Sequence, residues 1–172
     1  MRIPLFRMNH KRDRIISFAL MAVVTFALTA CASVKKLEEQ RQIVAEAIAK
    51  RQVRIDITSM NTMRYGGRSV TGDFFLELKN DTLHSYLPYL GQAYKSSYVS
   101  PSIGLNFEKP IQNYIESHTK KNRTQLDLDV RTEEDSYHYT IEIYDTGETY
   151  IHVKSQFRDP ISFTGSMKMP DI

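Results

Sequence analysis

Four tyrosines lie close together in the middle of the chain, and their chemistry suits a binding site. Tyr86, Tyr89, Tyr94 and Tyr98 occupy thirteen residues that also contain a proline and a glycine. A phenol ring offers a flat apolar face and a hydroxyl group, which suits the mouth of a ligand pocket or a protein-binding surface. Arg158 could add a contact to an anionic group. We therefore predict these five residues as candidate ligand-binding residues; the alternative is that the rings cap one end of the domain as part of its core.

The other reactive residue types form no recognisable catalytic or metal-binding pattern. Asp145-Thr146-Gly147 is similar to the triplet of aspartic proteases, but such a site needs two carboxylates and the chain has one copy. Between two alternating segments, these residues are typical of a hairpin turn. The later histidines lack the spacing of a metal motif; they are His84, His118, His138 and His152. We predict no catalytic residue, no metal site and no cofactor.

The first 30 residues have the layout of a secretory signal peptide. Residues 1–14 carry five basic side chains, and the uncharged run 15–30 follows them. Sixteen residues are few for a membrane span, which needs about 20 helical residues, so a retained membrane helix is the weaker alternative. Without residues 1–30 the chain has 18 basic and 19 acidic residues, a net charge of −1 instead of +3. This balance argues against nucleic acid as a partner.

Cys31 is the only cysteine of the chain and follows Leu28-Thr29-Ala30. This sequence resembles the lipobox of bacterial lipoproteins, in which the cysteine thiol is joined to a diacylglycerol and the leader is cleaved before it. The resemblance implies lipid attachment at Cys31 and a membrane as partner; an unmodified thiol is the alternative. Ala32-Ser33 stands where an aspartate would direct sorting to the inner membrane, so we expect the outer membrane and an orientation towards the periplasm.

Residues 31–52 are predicted to form the lipid anchor and a helical tether. Residues 34–52 contain neither glycine nor proline, and Leu37, Val44 and Ile48 recur at helical spacing. The polar face carries charges of both signs. The helix could be a tether with one docked face, a lid on the domain or a partner-binding helix.

From Val53 onwards the pattern changes to the period of two that indicates half-buried strands, so residues 53–172 are predicted to form an antiparallel β domain. Short turn sequences between the candidates favour antiparallel neighbours. Nine strands favour a closed, lipocalin-like barrel, with a two-sheet sandwich as the alternative. The candidate strands are 53–58, 73–79, 83–87, 103–107, 113–119, 125–131, 137–144, 149–157 and 161–169.

The register of one hairpin follows from its turn. A three-residue turn at 145–147 places Ile141 opposite Ile151 and Tyr139 opposite Val153. One face of this strand pair is then apolar and the other polar, as a sheet that covers a core requires.

Two segments of the chain resemble a family of bacterial lipoproteins known as the domain of unknown function 4251. They are residues 86–94 (Tyr-Leu-Pro-Tyr-Leu-Gly-Gln-Ala-Tyr) and residues 158–165 (Arg-Asp-Pro-Ile-Ser-Phe-Thr-Gly), and the likeness extends over about residues 40–170. The family pattern has an arginine where this chain has Gln92, so no role of that arginine is implied here. The resemblance implies a mostly β, lipocalin-like fold and no reaction.

Together these features predict a lipoprotein anchored to the outer membrane that is not an enzyme. The leading function is a binding module whose barrel interior or tyrosine-rich end holds a small apolar or amphipathic ligand. The first alternative is a structural or assembly partner that recognises a membrane protein through its outer face. The second alternative is a hydrolase.

Overall fold

The computed structural model describes residues 35–94, 104–119 and 122–169. The chain divides into two units, Met1–Glu39 and Gln40–Ile172, and all contacts given below lie within the second unit. One helix, α1, spans residues 35–49, and nine strands follow it. The strands are β1 (Gln52–Thr62), β2 (Gly66–Ser69), β3 (Phe75–Lys79), β4 (Thr82–Pro88), β5 (Gly104–Thr119), β6 (Arg123–Arg131), β7 (Ser136–Tyr144), β8 (Glu148–Ser155) and β9 (Ile161–Met167).

Eight of the strands form a closed antiparallel barrel. The order of strands in the sheet is β2-β1-β3-β4-β5-β6-β7-β8-β9, and β1 also pairs with β9, which closes the barrel. The remaining strand, β2, pairs with the second half of β1, where β3 no longer runs beside it. The predicted barrel and its preceding helix are therefore confirmed, and the two-sheet sandwich is excluded.

Alternation along the strands places the apolar side chains inside the barrel. In β7 the odd-numbered positions from Tyr137 to Ile143 are buried, whereas the even-numbered positions are partly exposed. The β7–β8 register pairs Ile141 with Ile151 and Tyr139 with Val153, as the three-residue turn predicts. Turn residues explain this local accuracy: Asn80, Asn122 and Gly147 have positive φ angles at three hairpin turns, and asparagine and glycine adopt this conformation most readily.

A β-bulge in β1 changes which residues face the core. Val53, Ile55 and Ile57 are buried, but the register against β9 shifts between Ile57 and Ser59, so the alternation continues on even numbers. Gly165 pairs with Ile57 beside this bulge. A Cβ atom at Gly165 would lie 2.3 Å from the carbonyl oxygen of Asp56, so the two backbones approach more closely than a side chain allows.

Two predicted strand assignments were wrong in detail. The candidates 103–107 and 113–119 belong to one continuous strand, β5, although Pro110 lies between them. Proline is tolerated because the β4–β5 ladder ends at the pair Thr82–Pro110, where the missing N–H is of little consequence. The sequence also did not predict β2, because Gly66–Ser69 is exposed throughout and has no apolar alternation.

Helix α1 packs one face onto the barrel. Val44 and Ile48 are only 4% and 3% exposed and belong to the hydrophobic core, whereas Leu37, which shares their spacing, is exposed. An ion pair of 3.3 Å joins Arg41 to Asp145. The helix ends at residue 49, and in the turn that follows the N–H of Arg51 donates to the carbonyl of Ile48 at 2.8 Å.

Candidate functional site

The first part of the tyrosine-rich segment lies on the outer surface of the barrel. Tyr86, near the end of β4, is 41% exposed. Its ring stacks on Phe74 with 5.3 Å between ring centroids and lies 5.8 Å from the ring of Phe75. The guanidinium of Arg54 lies 3.9 Å from the Phe75 ring centroid. These residues form a partly exposed aromatic patch on the outside of the barrel.

Tyr94 contributes to a network around the buried carboxylate of Asp159. The Tyr94 hydroxyl donates to Asp159 Oδ1 at 2.5 Å, and Arg64 Nε donates to Oδ2 at 2.7 Å. The backbone N–H of Gln92 also donates to Oδ2, at 3.2 Å. The hydrogen bonds from Tyr94 and then Arg64 lower the pKa of Asp159 to about 2. The carboxylate is therefore charged and fully engaged at neutral pH.

Tyr89 supports the same network through its hydroxyl group. Its single proton is shared between the carbonyl oxygens of Gln92 (3.0 Å) and Asp159 (3.2 Å). The backbone N–H of Asp159 also donates to the carbonyl of Gln92, at 3.0 Å. Burial is the main cause that raises the pKa of Tyr89. These bonds fasten segment 89–94 to the β8–β9 connection, and we call them the Asp159 clasp.

Arg158 lies beside the clasp, and its guanidinium group contacts two acidic residues. Its side chain is 9% exposed, with Nη2 at 3.2 Å from Glu134 and Nε at 3.9 Å from Asp135. Nη1 donates to the carbonyl of Gly104 at 3.4 Å, and the guanidinium lies 5.4 Å from the Tyr89 ring centroid. Since two carboxylates balance its charge, the ligand-binding role predicted for Arg158 gains no support from its contacts.

The structure thus brings together three of the candidate ligand-binding residues, Tyr89, Tyr94 and Arg158, at one end of the barrel. Tyr86 lies apart from them, while Tyr98 and the predicted lipid-attachment residue Cys31 are outside the described residues. Asp159 and Arg64 were not predicted from the sequence as members of this cluster. No local signal could have revealed the pair, because 95 positions separate the two residues.

Among the residues that the structure describes, the barrel interior is filled by side chains. The cavity among its aliphatic residues measures about 10 Å³, which is the space of about one water molecule. Tyr139 is fully buried there, and burial raises its pKa. Its hydroxyl lies 3.2 Å from Ser85 Oγ, which donates to the carbonyl of Leu105 at 2.7 Å. An eight-stranded barrel can either be filled or hold one small ligand, and this interior is of the filled kind.

The open end beside helix α1 holds a groove of about 670 Å³, which we call the helix groove. Pockets that hold small ligands range from about 300 to 1,000 Å³. One part of the lining consists of helix residues 43, 46 and 47 with residue 50 from the turn after the helix, and the other part comes from β1, β3 and the end of β9. Its apolar lining residues are Ile43, Ala47, Leu78, Met167 and Met169, and its polar ones are Glu46, Lys50, Gln52, Arg54, Glu77, Lys79 and Lys168. This site was not predicted from the sequence.

The histidines and the Asp-Thr-Gly triplet have structural contacts. His138 Nδ1 lies 2.7 Å from Asp129 Oδ1, and His152 Nδ1 lies 2.9 Å from Ser162 Oγ. Burial lowers the pKa of His152. The triplet forms the β7–β8 turn, as predicted. Over residues 35–94, 104–119 and 122–169, no group of three or more histidine, cysteine or acidic residues could hold a metal ion.

The described part of the chain contains no helix that is long and apolar enough to cross a membrane.

Fold and site together define a helix-capped, side-chain-filled antiparallel barrel with an open groove at the capped end. The chain belongs to the DUF4251 family, a domain of unknown function, whose family model matches residues 35–167. The crystal structure of a DUF4251 family protein from Bacteroides eggerthii DSM 20697 is similar, with a TM-score of 0.58 at 12% sequence identity. The alignment covers 76% of this chain and 87% of that chain. No curated protein matches the sequence.

Proposed function

We propose that this protein is a lipid-anchored binding module that takes an amphipathic ligand in the helix groove. The observation that carries the proposal is the contrast between the two cavities. The barrel interior has room for about one water molecule, whereas the groove measures about 670 Å³. The proposal thus keeps the amphipathic ligand predicted from sequence and moves its site from the barrel interior and the tyrosine-rich end to the helix.

The lining of the groove supports a ligand with an apolar part and a polar end. Met167 and Met169 have flexible, polarizable side chains that adapt to an irregular apolar partner, and Ile43 and Ala47 of the helix line the same groove. Each methylene removed from water contributes about 0.8 kcal/mol. Six buried methylenes would supply about 5 kcal/mol of transfer free energy, which is offset in part by the cost of immobilising the ligand, so we expect weak binding.

The methionines allow a direct test of this site. We would place the full chain in phospholipid nanodiscs, label the methionine methyl groups with ¹³C, and titrate decanoate to about 1 mM. The methyl signals of Met167 and Met169 should shift, whereas those of Met60 and Met63, which do not line the groove, should not. Empty nanodiscs give the correction for partition of the amphiphile into lipid.

A matched pair of helix variants makes the test specific. Ala47→Phe should fill the groove and abolish the shifts, because Ala47 lines it. Ala45→Phe places the same ring on an exposed position of the same helix and should leave the titration unchanged. Equal shifts at all four methionines, or a titration that Ala47→Phe does not alter, would refute binding in the groove.

The membrane location remains part of the proposal and rests on the leader and on Cys31. Cys31→Ser should abolish metabolic palmitate labelling and leave an unanchored or uncleaved form. Undiminished label in the variant would end the lipoprotein proposal. We assign the protein no reaction, no cofactor and no nucleic-acid partner; the balanced charge of residues 31–172 supports the last point.

One observation favours the alternative of an assembly partner at the outer membrane. Beyond Pro110, β5 extends past the end of β4, and of the described strands only β6 pairs with residues 113–119. Ile115 in this segment is 53% exposed, and an open strand edge can accept a strand from another protein.

Amide hydrogen exchange of residues 112–119 tests whether a partner protein adds a strand at this edge. Protection in the native membrane that is lost in nanodiscs would support a protein partner, whereas fast exchange in both would exclude strand addition.

A further inference from the structure

We infer that the ligand of the helix groove is a single-chain amphiphile with a carboxylate head, and that Lys79 and Lys168 bind this head. The inference rests on the proposed function of the groove and names the class of ligand. It is drawn from the charges on the groove rim, which carries four cationic side chains and two carboxylates.

Two of the four cations already have partners within the protein. Lys50 Nζ lies 2.5 Å from Glu46 Oε1, which is an ion pair between adjacent turns of the helix. Arg54 Nε lies 3.3 Å from Asp56, and its Nη1 lies 4.0 Å from Glu77. Both acidic side chains of the rim, Glu46 and Glu77, are thus already in contact with one of these two cations.

Lys79 and Lys168 are the cations that remain. Both are exposed, and neither has an ion pair with any described residue. Lys79 pairs across the sheet with Gln52 of β1, and the backbone N–H of Lys168 donates to the carbonyl of Arg54 at 2.8 Å on the other side of β1. Their backbones therefore flank one strand and are offset by two residues along it, which places them about 12 Å apart. A carboxylate at the groove edge can reach either ammonium group or lie between them.

The apolar part of the groove lies directly beside these cations. Leu78 and Met167 face the barrel interior, whereas Lys79 and Lys168, which follow them in sequence, are exposed on the outside, because successive residues of a strand point to opposite faces. All four residues line the helix groove, so its apolar and cationic parts meet at the rim of the barrel, where a chain that contacts Met169 can place its head near Lys168. A groove of about 670 Å³ is of the size that holds one small ligand, which favours a single acyl chain over a two-chain phospholipid.

Charge discrimination among ligands of equal chain length tests the inference. The methionine titration in nanodiscs is repeated with decanoate, decanol and decylammonium, each corrected with empty nanodiscs. An exposed ion pair changes an equilibrium constant by up to about fivefold, so two lysines should favour decanoate over decanol by about tenfold. The preference should shrink in 1 M salt, where the Debye length falls from about 10 Å to about 3 Å.

The variant Lys79→Glu/Lys168→Glu should weaken decanoate binding at least tenfold, leave decanol binding within about twofold, and favour decylammonium. The control Arg131→Glu/Lys154→Glu makes the same change of net charge at two exposed positions outside the groove and should bind like the wild type. If thermal unfolding shows that the glutamate variant is not folded, Lys79→Gln/Lys168→Gln replaces it, with the decanoate preference expected to disappear.

The outcomes separate this inference from the proposed function. Equal binding of decanoate and decanol to the wild type, or a preference that survives both lysine variants, would overturn the role of the lysines and leave the groove as a site for amphiphiles. Failure of all three amphiphiles to shift Met167 and Met169 would overturn both.

Discussion

Ile48→Ala tests whether helix α1 is part of the cooperatively folded core. Ile48 is 3% exposed, and the substitution removes three carbon atoms from this buried side chain. Their transfer to water costs about 2.4 kcal/mol at about 0.8 kcal/mol per carbon. The cavity that remains costs up to about 2 kcal/mol more, and the better helix propensity of alanine offsets a few tenths of a kcal/mol. We expect a loss of about 2 to 4 kcal/mol in the free energy of unfolding.

The matched control for this variant is Ile115→Ala, which makes the same chemical change at a side chain that is 53% exposed. About half of the transfer free energy applies at this half-exposed side chain, and no enclosed cavity forms. We therefore expect the free energy of unfolding to fall by about 1 kcal/mol. Urea unfolding followed by circular dichroism measures both variants. If Ile48→Ala is no more destabilising than Ile115→Ala, the helix does not stabilise the barrel and the reasoning from its burial fails.

Three further predictions concern backbone contact and proton binding. Gly165→Ala should cost about 1 to 3 kcal/mol in urea unfolding because its Cβ would collide with a carbonyl oxygen of β1, whereas Gly67→Ala, with no atom within 4 Å, should be nearly neutral. Because the pKa of Asp159 is lowered to about 2 in the folded protein, its charged form stabilises the fold above about pH 3.8, and this stabilisation is lost as the pH falls through about 2. Tyr94→Phe removes the hydrogen bond that lowers this pKa most, so acid unfolding should move to higher pH. Burial raises the pKa of Tyr137 to about 12. The stabilisation by its neutral form is therefore complete below about pH 10 and is lost as the pH rises through about 12. An ultraviolet titration in which every phenol of the folded protein ionises near pH 10 would contradict this.

Local patterns predicted most of the barrel. Alternation at Val53, Ile55 and Ile57 revealed β1, and turn chemistry around Gly147 revealed the register of β7 and β8, because both signals arise between residues that are close in the chain. The same reasoning failed at Pro110 and at Gly66–Ser69. There, the pairing depends on where a neighbouring strand ends, and local composition does not report this.

The candidate site was harder to predict for the same physical reason. The tyrosine-rich segment was visible from composition, but the partners that hold it, Arg64 and Asp159, are distant in sequence and meet only in the folded barrel. The helix groove combines α1, β1, β3 and the end of β9. Neither the helix nor any one strand carries the pattern of a pocket by itself.

The amino-acid sequence by itself therefore determined the antiparallel strands, their inward faces, the preceding helix and the resemblance to the DUF4251 family. These properties follow from periodicity and turn residues, which act over a few positions. Only the tertiary structure decided that the barrel interior is filled, that the Asp159 clasp holds Tyr94, and that Lys79 and Lys168 flank an open groove. Such features depend on barrel closure, which packs side chains against each other and brings distant charges to one edge, and no local interaction specifies either result.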